Sequence, residues 1–94
     1  MIGTARDSAM LRLTLARLLR EQDEYSEAES HIEAALEMSR GYTAAWKELG
    51  RIRQQSGDRE GAAEAWGQGI EIARRNGDKQ AEKEMTVFLK RLER

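Results

Sequence analysis

The sequence has no cysteine and no proline, a single histidine, and only two tryptophans, two tyrosines and one phenylalanine in 94 residues. Without cysteine there can be no disulfide, no thiolate nucleophile and no sulfur-ligated metal site. Without proline the strongest helix breaker is missing from the whole chain. Long apolar runs are also absent: nothing approaches the ~18 consecutive apolar residues of a transmembrane helix, and mean hydropathy is -0.78. Met1 to Ala9 carries one basic side chain and no apolar run, so it does not read as a secretory leader. These absences point to a cytoplasmic, non-membrane protein.

What remains is 39% hydrophobic and 35% charged, rich in Ala, Leu, Glu, Arg and Gln, the composition of long helices. Hydrophobic spacing predicts five of them, at about 8–22, 25–39, 43–56, 59–76 and 79–92. Turn chemistry falls between these segments. Ser26-x-x-Glu29 has the spacing of a capping box. Gly41, Gly57 and Gly77 are expected to stop helices, with Asp58 capping the next one and Arg40, Arg74 and Arg75 in the preceding turns, where the helix dipole favours them.

A shift of 34 residues aligns the chain with itself without insertion. It pairs Leu15 with Leu49, Ala16 with Gly50, Arg17 with Arg51, Ala28 with Ala62, Ile32 with Trp66, and Ala35 with Gly69. Ala16, Gly50, Ala28, Ala62, Ala35 and Gly69 are small where two antiparallel helices would come closest, and large residues such as Leu15, Leu49, Ile32 and Trp66 fill the flanks. The second copy reads Trp46-x-x-Leu49-Gly50, then Gly57-Asp58, then Ala62-x-x-x-Trp66. This resembles the tetratricopeptide repeat, from roughly Ala9 to Asn76. The departures are Arg12 at the first Trp position, Arg53 at a Tyr position, and Arg40 and Arg74 where prolines close the repeats.

The resemblance implies an all-α, right-handed solenoid of antiparallel helix pairs forming one domain over residues 1–94. Repeat one covers about 9–42 and repeat two about 43–76. The segment 79–92 carries Ala81, Met85, Phe88, Leu89 and Leu92 on one stripe, offset by one residue from a third repeat. It reads as the polar-backed capping helix that such stacks need. The run from Gly77 to Leu92 is similar to the tails of small bacterial tetratricopeptide proteins.

No catalytic constellation is present. His31 and Glu27 lie one helical turn apart, but no further His or Cys completes a metal site. Glu82 and Glu84 lie on a charged helix surface. Gly61, Gly67 and Gly69 fall inside a predicted helix with no preceding strand, which excludes a phosphate loop. Gly69 belongs to a close helix contact; Gly61 and Gly67 have no such reason in the sequence. The reading is a non-enzyme without cofactor or metal.

Charge is distributed unevenly. Residues 23–39 hold six acidic groups and no Lys or Arg, while residues 1–22 and 40–56 hold four basic groups each against two and one acidic. The resemblance implies that the first helix of each repeat lines a concave groove. Its expected lining is Met10, Leu13, Arg17 and Arg20 from the first repeat, with Lys47, Arg51 and Gln54 from the second. Arg17, Arg20, Lys47 and Arg51 would then share one concavity, and the partner would be an acidic or extended protein segment. Pairing between basic first helices and acidic second helices accounts for the same alternation. The positions that clamp chaperone C-terminal tails in this family read Leu13, Arg17, Glu48, Asp78 and Glu82, so that ligand is not expected. Nucleic acid is excluded by the near-neutral charge and the scarcity of aromatics. The alternative function is structural: a self-associating module, or a piece of a longer solenoid, with Ile2, Met10 and Leu13 as the apolar end.

Overall fold

The computed structural model describes residues 7–93. The leader reading of Met1 to Ala9 and the apolar Ile2 therefore lie, mostly or wholly, outside the described residues. Five helices follow one another: α1 (Ala9–Glu21), α2 (Tyr25–Met38), α3 (Thr43–Gln55), α4 (Arg59–Asn76) and α5 (Lys79–Leu92). Each bound lies within two residues of the sequence expectation, and no strand occurs among the described residues. Each helix packs mainly on its neighbour in sequence. In addition α1 touches α3 and α3 touches α5, so these three helices form a row.

The same corner chemistry closes α1, α3 and α4. At the end of α3 the amide of Asp58 donates to the Arg53 carbonyl at 2.7 Å and that of Gly57 donates to Gln54 at 3.1 Å. These paired bonds require a left-handed residue, supplied by Gly57 at φ 96 and by Gly77 at φ 72 after α4. The next helix is then capped by aspartate: Asp58 accepts from the Gly61 amide at 2.9 Å and Asp78 from that of Ala81 at 3.1 Å. One period before Gly57 stands Asp23, which adopts φ 64 and makes the same bonds without the freedom of glycine. Its carboxylate accepts from the Tyr25 hydroxyl at 2.8 Å. Sequence pattern alone did not reveal this third left-handed corner.

Two turn assignments are corrected. Ser26 and Glu29 form no capping box: α2 begins two residues earlier, behind Glu24, which makes no side-chain cap bond. Glu29 is taken instead by Arg53, at 3.0 Å. Gly41 is not a left-handed stop, since positive φ among the glycines occurs only at Gly57 and Gly77 within the described residues. The α2–α3 corner is tied from outside, by the Trp46 indole donating to the Arg40 carbonyl and by Asn76 donating to that of Gly41, both at 2.9 Å.

The core has two parts. Leu13, Ile32, Leu36, Trp46, Leu49 and Ile52 fill the first, between α1, α2 and α3. Trp66, Ile70, Met85 and Leu92 fill the second, between α4 and α5, with Phe88 and Leu89 packed against it. The small residues stand at the crossings as expected. Ala16, Ala28, Ala35 and Ala62 are fully buried, a Cβ on Gly50 would overlap the Trp66 indole, and one on Gly69 would meet the Met85 thioether and Trp46. Gly61 has a reason after all: a Cβ there would strike the capping Asp58 carboxylate and come within 2.9 Å of Arg53 Cδ. Gly67 has open space around it, and nothing in the packing explains it.

Two substitutions test this frame. Gly50→Ala forces one methyl into the indole of Trp66, and urea unfolding should show a loss of about 1–3 kcal/mol. Glu24→Asp copies the cap that Asp58 provides one repeat later, and should gain about 0.5–1 kcal/mol in the same measurement. A stable Gly50→Ala protein would mean that the helix crossing is wider than described.

Candidate functional site

A group of cations lies along α1 and α3, because Arg17 and Arg20, and Lys47 and Arg51, recur at helical spacing on one face of each. Burial then sorts them. Glu48 lies between the rows at 2% exposure, the one buried charged residue among those described. Arg20 donates to its carboxylate, and Arg17 approaches the other oxygen at 3.9 Å. An isolated carboxylate at this depth would be costly, so Arg20 is a structural partner as much as a surface charge. Lys47 donates to Glu84 of α5 at 2.7 Å. The Lys47 ammonium, by hydrogen bond and charge, holds the Glu84 carboxyl below its ordinary range, with smaller help from Gln80 and Arg51. A depressed folded-state value stabilises the fold above the ordinary carboxylate range, and the contribution fades as pH falls through that lowered value. Both side chains are partly exposed, which limits the effect to about 0–1 kcal/mol.

The picture of four mutually repelling cations is therefore corrected: three of the four face carboxylates of the same chain. Arg51 differs. Its guanidinium lies over the Phe88 ring, 5.2 Å from the centroid, and has no carboxylate within ion-pair distance among the described residues. Phe88 in turn rests against Trp66, with ring centroids 5.3 Å apart. Arg20, Arg51 and Gln54 line one cavity of about 270 Å³ together with Arg91 of α5, a residue that the 34-residue alignment could not reach. Lys47 lines a separate cleft between the starts of α3 and α5, beside Asp78 and Glu84. Leu13 is a core residue and offers almost no surface, whereas Met10 is 69% exposed in the first turn of α1. The expected lining thus divides among a pocket, a cleft, the core and an open end.

The departures from the repeat pattern are local replacements. Arg53, at the Tyr position, donates to Glu29 and to the Gly61 carbonyl, so it joins α2, α3 and α4. Arg12, at the Trp position, pairs with Asp7 through two bonds of 2.9 and 3.0 Å and reaches His31 Nδ1 at 3.1 Å. That contact makes Nδ1 an acceptor and uses the only histidine as a packing partner of α1. No group of three acidic, histidine or cysteine side chains with metal-binding geometry occurs among the described residues. No helix among them is long and apolar enough to cross a membrane.

These elements agree with comparisons to known proteins. A tetratricopeptide-repeat profile matches residues 9–52. A TPR repeat-containing protein of Pseudomonas aeruginosa is 44% identical over 94 residues, covering 100% of this chain and 90% of that one. The solution structure of a Bordetella parapertussis protein is 41% identical, with a TM-score of 0.86 over 98% of this chain and 80% of that one. A tetratricopeptide repeat domain protein of Salinibacter ruber shares the fold at 24% identity, with a TM-score of 0.85 over 93% of this chain and 88% of that one. The chain belongs to the tetratricopeptide-repeat family, with small bacterial relatives. That fold is generally a protein-interaction module, and its members are typically non-enzymatic scaffolds.

The buried carboxylate supplies the test of this site. Glu48→Ala leaves Arg20 beside the core without its partner and should cost about 2–4 kcal/mol in chemical denaturation. Glu84→Ala, at an exposed pair, should cost less than about 1 kcal/mol. Equal costs would remove Glu48 from its place as the fixed point of the inner row.

Proposed function

We propose that this chain is a cytoplasmic, non-catalytic adaptor, a single domain over residues 1–94, that binds an acidic segment of a partner protein along the inner face of α1, α3 and α5. The observation behind this reading is Arg51, a cation held in place by an aromatic ring rather than by a carboxylate. Arg17, 49% exposed at its side chain and 3.9 Å from Glu48, adds a second, loosely held charge on the same face. Gln54 is exposed beside them. A segment carrying Asp and Glu would meet a positive surface here and be drawn in faster at low salt. The absence of the chaperone-tail clamp turns the reading away from that ligand and toward internal acidic stretches.

A second reading has its own support. Met10, Leu11 and Leu18 expose 69%, 39% and 51% of their surface along α1, the side on which a preceding repeat would stack. This face suits self-association or a neighbouring repeat of a longer solenoid.

The double variant Arg17→Glu with Arg51→Glu separates the two. Binding of a fluorescent peptide of alternating Glu and Ala should weaken about a hundredfold, as expected for losing two charge contacts of ~1.4 kcal/mol each. Circular dichroism and the melting temperature should stay nearly unchanged. Unchanged affinity, or unfolding of the variant, would overturn the groove reading. A dimer mass in light scattering, lost on Leu18→Lys, would favour the second.

A further inference from the structure

Resting on that groove reading, we propose that the cavity between the C-terminal parts of α1, α3 and α5 is a dedicated carboxylate pocket, in which Arg51 and Arg91 grip a single acidic group of the partner. The cavity has a volume of about 270 Å³ and is walled by Trp66 and Phe88, with Arg20 and Gln54 at its edge. Such a space takes one side chain and a few waters, at about 30 Å³ of liquid volume each, rather than a length of backbone.

The charge state inside the cavity is specific. Arg20 is neutralised by Glu48. Arg51 and Arg91 have no carboxylate within 4.0 Å among the described residues. The Phe88 ring holds the Arg51 guanidinium over its face, and none of the guanidinium donors makes a side-chain hydrogen bond among the described residues. A planar fork held in this way matches a carboxylate by two parallel bonds, and little rotamer freedom is left to lose on binding. Arg91 is exposed and lies in the last turn of α5, where it also complements the helix dipole. The dipole explains a basic residue in that turn, but not its convergence with Arg51 upon two aromatic rings.

The positive surplus is modest. Glu84 feels Arg51, and the carbonyl ends of α1 and α3 lie close by. A monoanion therefore suits the pocket better than a dianionic phosphate. The site shares neither Lys47 nor Arg17 with the rest of the inner face. It draws instead on α5, so the helix packed against α4 also completes the pocket.

The test uses the full chain, labelled with nitrogen-15, and a short amidated peptide of alternating Glu and Ala. Titration should shift the Nε–Hε signals of Arg51 and Arg91 and the Trp66 indole signal. Arg91→Gln, at an exposed position, and Arg51→Lys, which keeps the charge but not the fork, should each weaken binding about tenfold. Arg17→Gln and Lys47→Gln, outside the pocket, should weaken it less than either of these, and Arg75→Gln on the outer helix α4 should change it less than about twofold. The same peptide as a free acid tells a side-chain carboxylate from a chain terminus, and binding of either form supports the pocket. Equal binding of a Gln–Ala peptide, or tighter binding of a phosphoserine peptide, would overturn it. If only the Arg17 and Lys47 variants lose affinity, the pocket falls while the inner groove stands. Signals moving only on α2 and α4 would remove both.

Discussion

The Trp66 indole lies against the bare backbone of Gly50, and much of the molecule follows from that contact. A side chain at Gly50 would hold α3 and α4 apart. Its absence lets the indole sink to 1% exposure and donate its N–H to the Lys47 carbonyl at 3.1 Å. A ring of this size buries roughly 150–250 Å², worth about 4–6 kcal/mol at ~25 cal/mol per Å². The other edge of Trp66 supports Phe88, and Phe88 supports Arg51. The contact that joins the two helices of the second repeat therefore also positions the cation on the inner face. Fold and candidate site share one chain of contacts: glycine, indole, phenyl ring, guanidinium.

Charge plays two parts that look alike in the sequence. Basic groups concentrate on α1 and α3 and acidic ones on α2, yet pairing does not simply join these helices. Arg53 does reach α2 through Glu29, but Arg20 turns to Glu48 in the inner row, and Lys47 and Arg74 both pair with α5, through Glu84 and Glu82. Such pairs fix the stacking of the helices by position more than by energy, since exposed ones contribute about 0–1 kcal/mol each. Among the cations without such a pair, Arg51 and Arg91 line one cavity together with Trp66 and Phe88. Burial and geometry separate a structural arginine from one available to a partner; composition does not.

The repeats also show how a pattern survives altered residues. Proline closes neither unit: the α2–α3 corner is tied from outside through Trp46 and Asn76, and the other three rely on paired backbone bonds around a left-handed residue. Two of those residues are glycines, and the third is Asp23, held by its bonds and by Tyr25. Arg12 and Arg53 occupy aromatic positions and replace ring packing with ion pairs that their alkyl stems help to shield.

By itself the sequence determined the number of helices, their bounds to within two residues, the 34-residue repeat and the small residues at the crossings. Those features rest on local periodicity and backbone preference, which are written in neighbouring residues. The apolar stripe also placed the buried face of α5, where Ala81, Met85 and Leu92 pack in the second core. Only the tertiary structure decided the rest. Leu13 became core, Ser26 and Gly41 lost their assigned turn roles, and Gly61 acquired a packing reason in Arg53 and Asp58. Glu48, read in sequence only as a missing clamp residue, became the buried partner of Arg20. Arg91 joined Arg51 across 40 residues of chain. Each of these depends on which side chains meet between helices far apart in sequence, and neither periodicity nor propensity carries that information. The partners of a long, flexible charged side chain are chosen by the packing around it.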